Sequence, residues 1–142
     1  MNPTPLDYQI IDHTADLGII VKGPDVKNLF ILAARAMTDL MVKGDIRDKV
    51  AIRDVLVEGE DFPDLMVRWL GEILYLFEGE NLIVNSIEIK SISPIKLKSK
   101  LTLTSFQPKH HHILREIKAV TYHQISVNKA NDGWEAKVIF DI

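Results

Sequence analysis

The sequence has no cysteine, which removes disulfides, thiolate nucleophiles and thiolate metal ligands and leaves nothing that needs an oxidising compartment. It also lacks any run of about 20 apolar residues able to cross a bilayer. The opening "MNPTPLDYQ" has neither the basic flank nor the apolar run of a secretion signal. A cytoplasmic location away from membranes is the expectation. No Pro/Gly-rich or low-complexity tract is present, and nothing repeats at a period of roughly 20 to 50 residues. "VKGPD" is only a turn, so there is no glycine-rich phosphate loop.

What remains is an ordinary folded composition. With 142 residues, 46% hydrophobic and 26% charged, the chain suffices for one domain over residues 1–142 with its own core. The net charge of −3 hides an asymmetry: residues 1–80 hold 15 acids against 8 bases (−7), and residues 81–142 hold 5 against 9 (+4). Such segregation can orient a protein against a charged partner. The near-neutral total argues against direct RNA binding through phosphate contacts, without excluding it.

"LDYQIID" and "LGIIVKG" are rich in β-branched and aromatic residues and read as a hairpin over residues 6–22, with "HTAD" as its turn. Asp25 then caps an amphipathic helix over about Val26–Met41, with Leu29, Leu32, Ala33, Ala36 and Leu40 on one face. "KVAIRDVLVEGE" alternates as a strand despite Asp54. Asp61 or Asp64 caps a second helix, with Pro63 in its first turn and Leu65, Met66, Trp69, Leu70, Ile73, Leu74 and Phe77 as its apolar face. "LIVNSIEIKSI", "IKLKSKLTLTSF", "IKAVTYHQISVN" and "WEAKVIF" follow as strands. The pattern predicts an α+β fold, two helices packed on one face of a mostly antiparallel sheet of about six strands.

The stretch "DHTADLGI", residues 12–19, sets two carboxylates and an imidazole close together beside apolar strands. Asp16 alone reads as a turn former. At the other end "FDI" places Asp141 one residue from Ile142, here taken as carrying the chain's free carboxylate. Carboxylates brought together in a partly buried setting repel by a few kcal/mol at an effective dielectric of about 20, so they must protonate, spread into water or hold a cation. Oxygen-only ligands favour a hard ion such as Ca²⁺, Mg²⁺ or Mn²⁺. Asp12 reads as a turn former and His13 as a packing residue, neutral imidazole being an unusual ligand for a hard cation. Asp39, near the C-terminal end of the first helix where its charge opposes the helix dipole, is a further candidate for the acidic site.

If residues 118–123, "KAVTYH", form one strand, Lys118, Val120 and Tyr122 share a face, and Lys118 and His123 meet at one site only through a bulge. Were "KHHHIL" a strand, His110 and His112 would point the same way and could share an ion, but a third ligand is missing. Lys96, Lys98 and Lys100 form one wet face of their strand, opposite Leu97 and Leu101. Trp69 and Trp134 read as core residues rather than a base-stacking platform.

Together, "HTADLGI", "KAVTYH" and the terminal "FDI" resemble the archease family, in the same order and at the family's distances from the chain ends. That resemblance implies a small α+β protein that assists an RtcB-type RNA-splicing ligase, promoting guanylylation of the ligase's active-site histidine and multiple turnover in tRNA splicing or RNA repair. It would be an activator, not an enzyme. The resemblance places a divalent metal, usually calcium, on Asp16, Asp141 and Ile142, and raises Lys118 as a partner or site contact, with His123 and His13 as weaker ones. Two other readings stay open: a free-standing metal-dependent phosphoester hydrolase with His123 as base, and a chaperone or scaffold for RNA-processing proteins.

Overall fold

The computed structural model describes residues 8–12, 16–46 and 48–142. Its elements are β1 (Tyr8–Asp12), β2 (Asp16–Gly23), α1 (Val26–Met41), β3 (Val42–Gly44), β4 (Ala51–Glu58), α2 (Phe62–Glu80), β5 (Leu82–Ser93), β6 (Lys96–Ser105), β7 (His111–Ile113), β8 (Ala119–Val120), β9 (Ser126–Ala130) and β10 (Gly133–Asp141).

Both helices start where short polar side chains can satisfy free amides. Asp25 accepts from Asn28 N–H at 2.8 Å, and Asp61 accepts from Asp64 N–H at 2.9 Å with Pro63 in the first turn. α2 stops at Asn81, which takes the left-handed conformation (φ 56°) and donates its N–H to Phe77 O at 3.0 Å. The periodic apolar faces are buried as the spacing requires: Leu29, Phe30, Ala33, Met37 and Leu40 from α1; Leu65, Met66, Trp69, Leu70, Ile73 and Phe77 from α2. Each large buried side chain contributes roughly 1.5–3 kcal/mol through removal from water. Trp69 is fully buried and donates its indole N–H to Phe30 O at 2.9 Å, so its one polar atom joins the two helices.

The α+β class is as the sequence pattern predicts, with every strand pair antiparallel. The strands do not lie in one sheet, however; the described residues form three. In the largest, the order is β1-β2-β10-β8, with β9 also paired to β10; a second has the order β4-β6-β5; β3 and β7 form a short ribbon. Two bulges in β5, at Asn85 and Lys90, shift its register against β6 and bend the strand. Asn85 turns its side-chain amide to Ile46 O, and Thr104 donates to the same carbonyl at 2.9 Å.

The segment 118–123 also departs from the expected strand. Only Ala119 and Val120 pair with β10, and the chain then turns, with Gln124 left-handed at φ 53°. Thr121 ends the pairing by spending both N–H (3.0 Å) and hydroxyl (2.8 Å) on Ile139 O. Tyr122 therefore lies beyond the strand and does not continue a face with Lys118 and Val120. "KHHHIL" is divided too: His110 belongs to the turn before β7, and His111 alone of the three is buried. Gln107 N–H donates to its Nδ1 at 2.9 Å, and its Nε2–H donates to Asp45 O at 2.6 Å.

Candidate functional site

The C-terminal strand β10 is the interior strand that positions the candidate site, because β2 pairs along one of its edges and β9 and β8 along the other. In the β2–β10 register Leu17 stands opposite Phe140 and Asp16 opposite Asp141. Directly opposed residues of an antiparallel pair project to the same side with Cβ atoms about 4.5–5.5 Å apart. Two carboxylates 125 positions apart in sequence are thereby made neighbours at the end of the sheet. The pairing rests on the core beneath it: Leu17, Ile19, Val138 and Phe140 are buried, and Ile142 packs against them from the strand's end.

The third side is closed by the segment entering β8. Lys118 N–H donates to Asp141 O at 2.7 Å, while its side chain is exposed. Asp141 is exposed and Asp16 half-buried. One oxygen of Asp16, Oδ1, is buried without a hydrogen-bond partner among the described residues. A buried carboxylate oxygen left unpaired is costly, and an opposed second carboxylate adds to the cost. A cation relieves both.

A divalent ion fits the donors present. The two carboxylates that the register opposes are oxygen donors, which suits Ca²⁺, Mg²⁺ or Mn²⁺. Among the described residues no three His, Cys, Asp or Glu side chains gather into a metal-holding group. Among the described residues the opposed side-chain donors are these two carboxylates, and a bound ion would complete its shell with further oxygens, main-chain or water.

The other sequence candidates fall elsewhere or in part nearby. His13 lies outside the described residues. His123 is exposed in the turn after β8 and donates its N–H to Thr121 Oγ1 at 3.3 Å. Asp39 does not join Asp16 and Asp141 in one cluster; its Oδ2 accepts from the Tyr8 hydroxyl at 2.7 Å. Burial, together with that bond to Asp39, pushes the Tyr8 hydroxyl up to about 12. The two flanking residues of the histidine run do not share a strand face, and the outer two of the three lysines stand opposite acids: Glu58 faces Lys96, and Asp54 and Glu88 face Lys100 from the two sides, while Lys98 lies between Leu56 and Ser91.

Sequence reasoning missed the strap around the site. Tyr122 donates its hydroxyl to Asp64 Oδ1 at 2.7 Å, and Asp64 also accepts from Glu60 N–H (2.9 Å) and Arg68 Nε (3.0 Å). The Tyr122 bond, the Glu60 amide and Arg68 hold the Asp64 carboxyl below the usual range, and Asp64 in turn pushes the Tyr122 hydroxyl up. With Thr121 on Ile139 O, this joins the start of α2 to the end of β10. The only trace in the sequence was Asp64 as an alternative helix cap.

A model of the Archease protein family matches residues 8–142. The protein archease of Methanosarcina acetivorans is 34% identical over 140 residues, covering 95% of each chain. That of Pyrococcus abyssi is 35% identical over 139 residues, covering 95% of this chain and 98% of its own. The solution structure of protein 1598 from Methanobacterium thermoautotrophicum superposes with a TM-score of 0.80 at 26% identity, covering 95% of this chain and 98% of that one. A Thermotoga maritima crystal structure, described as an archease and possible chaperone, gives a TM-score of 0.65 at 21% identity, a likeness of fold alone.

Proposed function

The chain belongs to the archease family, and on that premise we propose that it is an activator of an RtcB-type RNA-splicing ligase, working through a divalent cation held by Asp16, Asp141 and the oxygens of Ile142. It promotes guanylylation of the ligase's active-site histidine and does not itself join or cleave bonds. Calcium is the favoured ion, with magnesium and manganese as alternatives of the same chemistry. Family membership supports the choice of partner. The cation rests on one observation above all: the buried, unpartnered Oδ1 of Asp16 beside the register position of Asp141.

Such an ion supplies positive charge where phosphate oxygens must be neutralised. The chain's own residues do the rest. Asp16 and Asp141 present oxygens from paired strands that cannot drift apart. Lys118 N–H and Thr121 fasten the last turn of backbone around them. The exposed Lys118 ammonium and Asp141 carboxylate present opposite charges to a partner from one edge of the sheet.

The test adds the protein at substoichiometric amounts to purified ligase with GTP and metal. The guanylylated fraction rises with the wild type and stays at its basal level with Asp16→Asn. No rise with the wild type ends this reading. Stimulation that survives neutralising both Asp16 and Asp141 would favour the chaperone reading instead.

A further inference from the structure

Two of the molecule's exposed large hydrophobic residues lie on one strand edge far along the chain from Asp16 and Asp141: Ile52 (63% exposed) and Leu56 (53%) alternate with acids along β4, and Val50 (53%) precedes the strand. Beyond the strand's end Gly59 N–H donates to Ile95 O at 2.9 Å, Ile95 continuing the line of β6. Among the described residues β4 is an outer strand of its sheet, eight residues long, without proline and without a register shift against β6. The Gly59–Ile95 bond and the unbroken register send the main-chain groups of Arg53, Val55 and Val57 toward β6. Those of Ile52, Asp54, Leu56 and Glu58 therefore point away from the sheet. The same four residues carry their side chains on the outer face. Peptide donors and acceptors thus lie beside a strip that reads apolar, acidic, apolar, acidic, on an edge that proteins ordinarily shield.

The strip specifies its occupant by charge. A second copy of the chain is a poor one. In any antiparallel self-pairing that keeps the faces matched, Asp54 falls opposite Val50, Ile52, Asp54, Leu56, Glu58 or Glu60, an acid against an acid or against an apolar side chain. The inner edge of β4 shows the complementary chemistry: its neighbour β6 sets Lys96 opposite Glu58 and Lys100 opposite Asp54. We propose that the outer edge of β4 is a docking site for an extended segment of a partner protein that alternates apolar and basic side chains, added as a further antiparallel strand. Ile52 and Leu56 take the apolar side chains, and Asp54 and Glu58 the basic ones. This site is separate from the cation site, and neither depends on the other.

The probe is a blocked peptide reading Lys-Thr-Val-Thr-Lys-Thr-Val-Thr, titrated into the ¹⁵N-labelled full chain, with a control in which both lysines are glutamates. The lysine peptide is expected to shift and protect the amides of Ile52, Asp54, Leu56 and Glu58, and to bind about tenfold more tightly than the control, since two opposed charge pairs change sign. The doubly substituted Asp54→Asn, Glu58→Gln chain, which sets no lysine against Lys96 or Lys100, should lose the preference that the wild-type chain shows. Three results would overturn the proposal: no shifts along β4 at millimolar peptide, equal affinity for both peptides, or β4 amides already protected in a dimer of the chain.

Discussion

Tyr8 and Asp39 show how a single contact carries a pH dependence. In the unfolded chain the Tyr8 hydroxyl ionises near 10, and in the folded chain near 12, because burial disfavours the phenolate and the neutral hydroxyl donates a hydrogen bond to Asp39. The unfolded state therefore loses its proton first. The stabilisation is complete below pH 10 and disappears as pH rises toward 12. Thermal unfolding followed from pH 8 to 12 should show Tyr8→Phe less sensitive than the wild type in this window, and less stable by about 1 kcal/mol at neutral pH, the usual contribution of such a bond. His111 makes a second prediction. Replacing it by alanine removes a buried ring together with its bonds to Gln107 N–H and Asp45 O and should cost about 1–3 kcal/mol in chemical denaturation, whereas His112→Ala, exposed, should cost under about 0.5 kcal/mol. Which histidine mattered was not legible from three in a row, since the partner that holds the His111 ring from outside its own turn, Asp45 O, lies 66 residues earlier.

At the scale of elements, the helices were readable because their signals are local. Asp25 and Asp61 cap them, and the 3.6-residue period marks their faces. The hairpin was readable too, and with it half of the candidate site. The segment 118–123 was not. Its alternation suggested a strand, but Thr121 folds its hydroxyl onto Ile139 O and Tyr122 reaches Asp64, partners 18 and 58 residues away. No glycine or proline announced the turn. The partition into three sheets was equally hidden, since bulges such as that at Asn85 depend on a carbonyl 39 residues earlier. Gly133 lies in "NDG", where β9 turns into β10, at φ 149°, and a Cβ there would collide with Gly23 O. Gly133→Ala should therefore cost about 1–3 kcal/mol in denaturant unfolding, although alanine lowers the entropy of the unfolded chain.

Across the whole molecule, the sheet order brings the two ends of the sequence together, so that the acidic corner exists only in the folded state. Binding there must then stabilise the fold by linkage. An ion present at about 100 times its dissociation constant adds roughly 2.7 kcal/mol and should raise the melting temperature by roughly 5–10 °C for a chain of this size. With the ion removed, Asp16→Asn should be no less stable than the wild type, since it relieves opposed charges. The most direct measurement is a calorimetric titration of metal-depleted protein with calcium, made on the wild type, Asp16→Asn and Asp141→Asn. The expected result is one ion per chain for the wild type and affinity at least about tenfold weaker in each variant, equivalent to losing one charged ligand. A wild type that takes up no calcium, magnesium or manganese, or variants that bind as well as it does, would contradict the account.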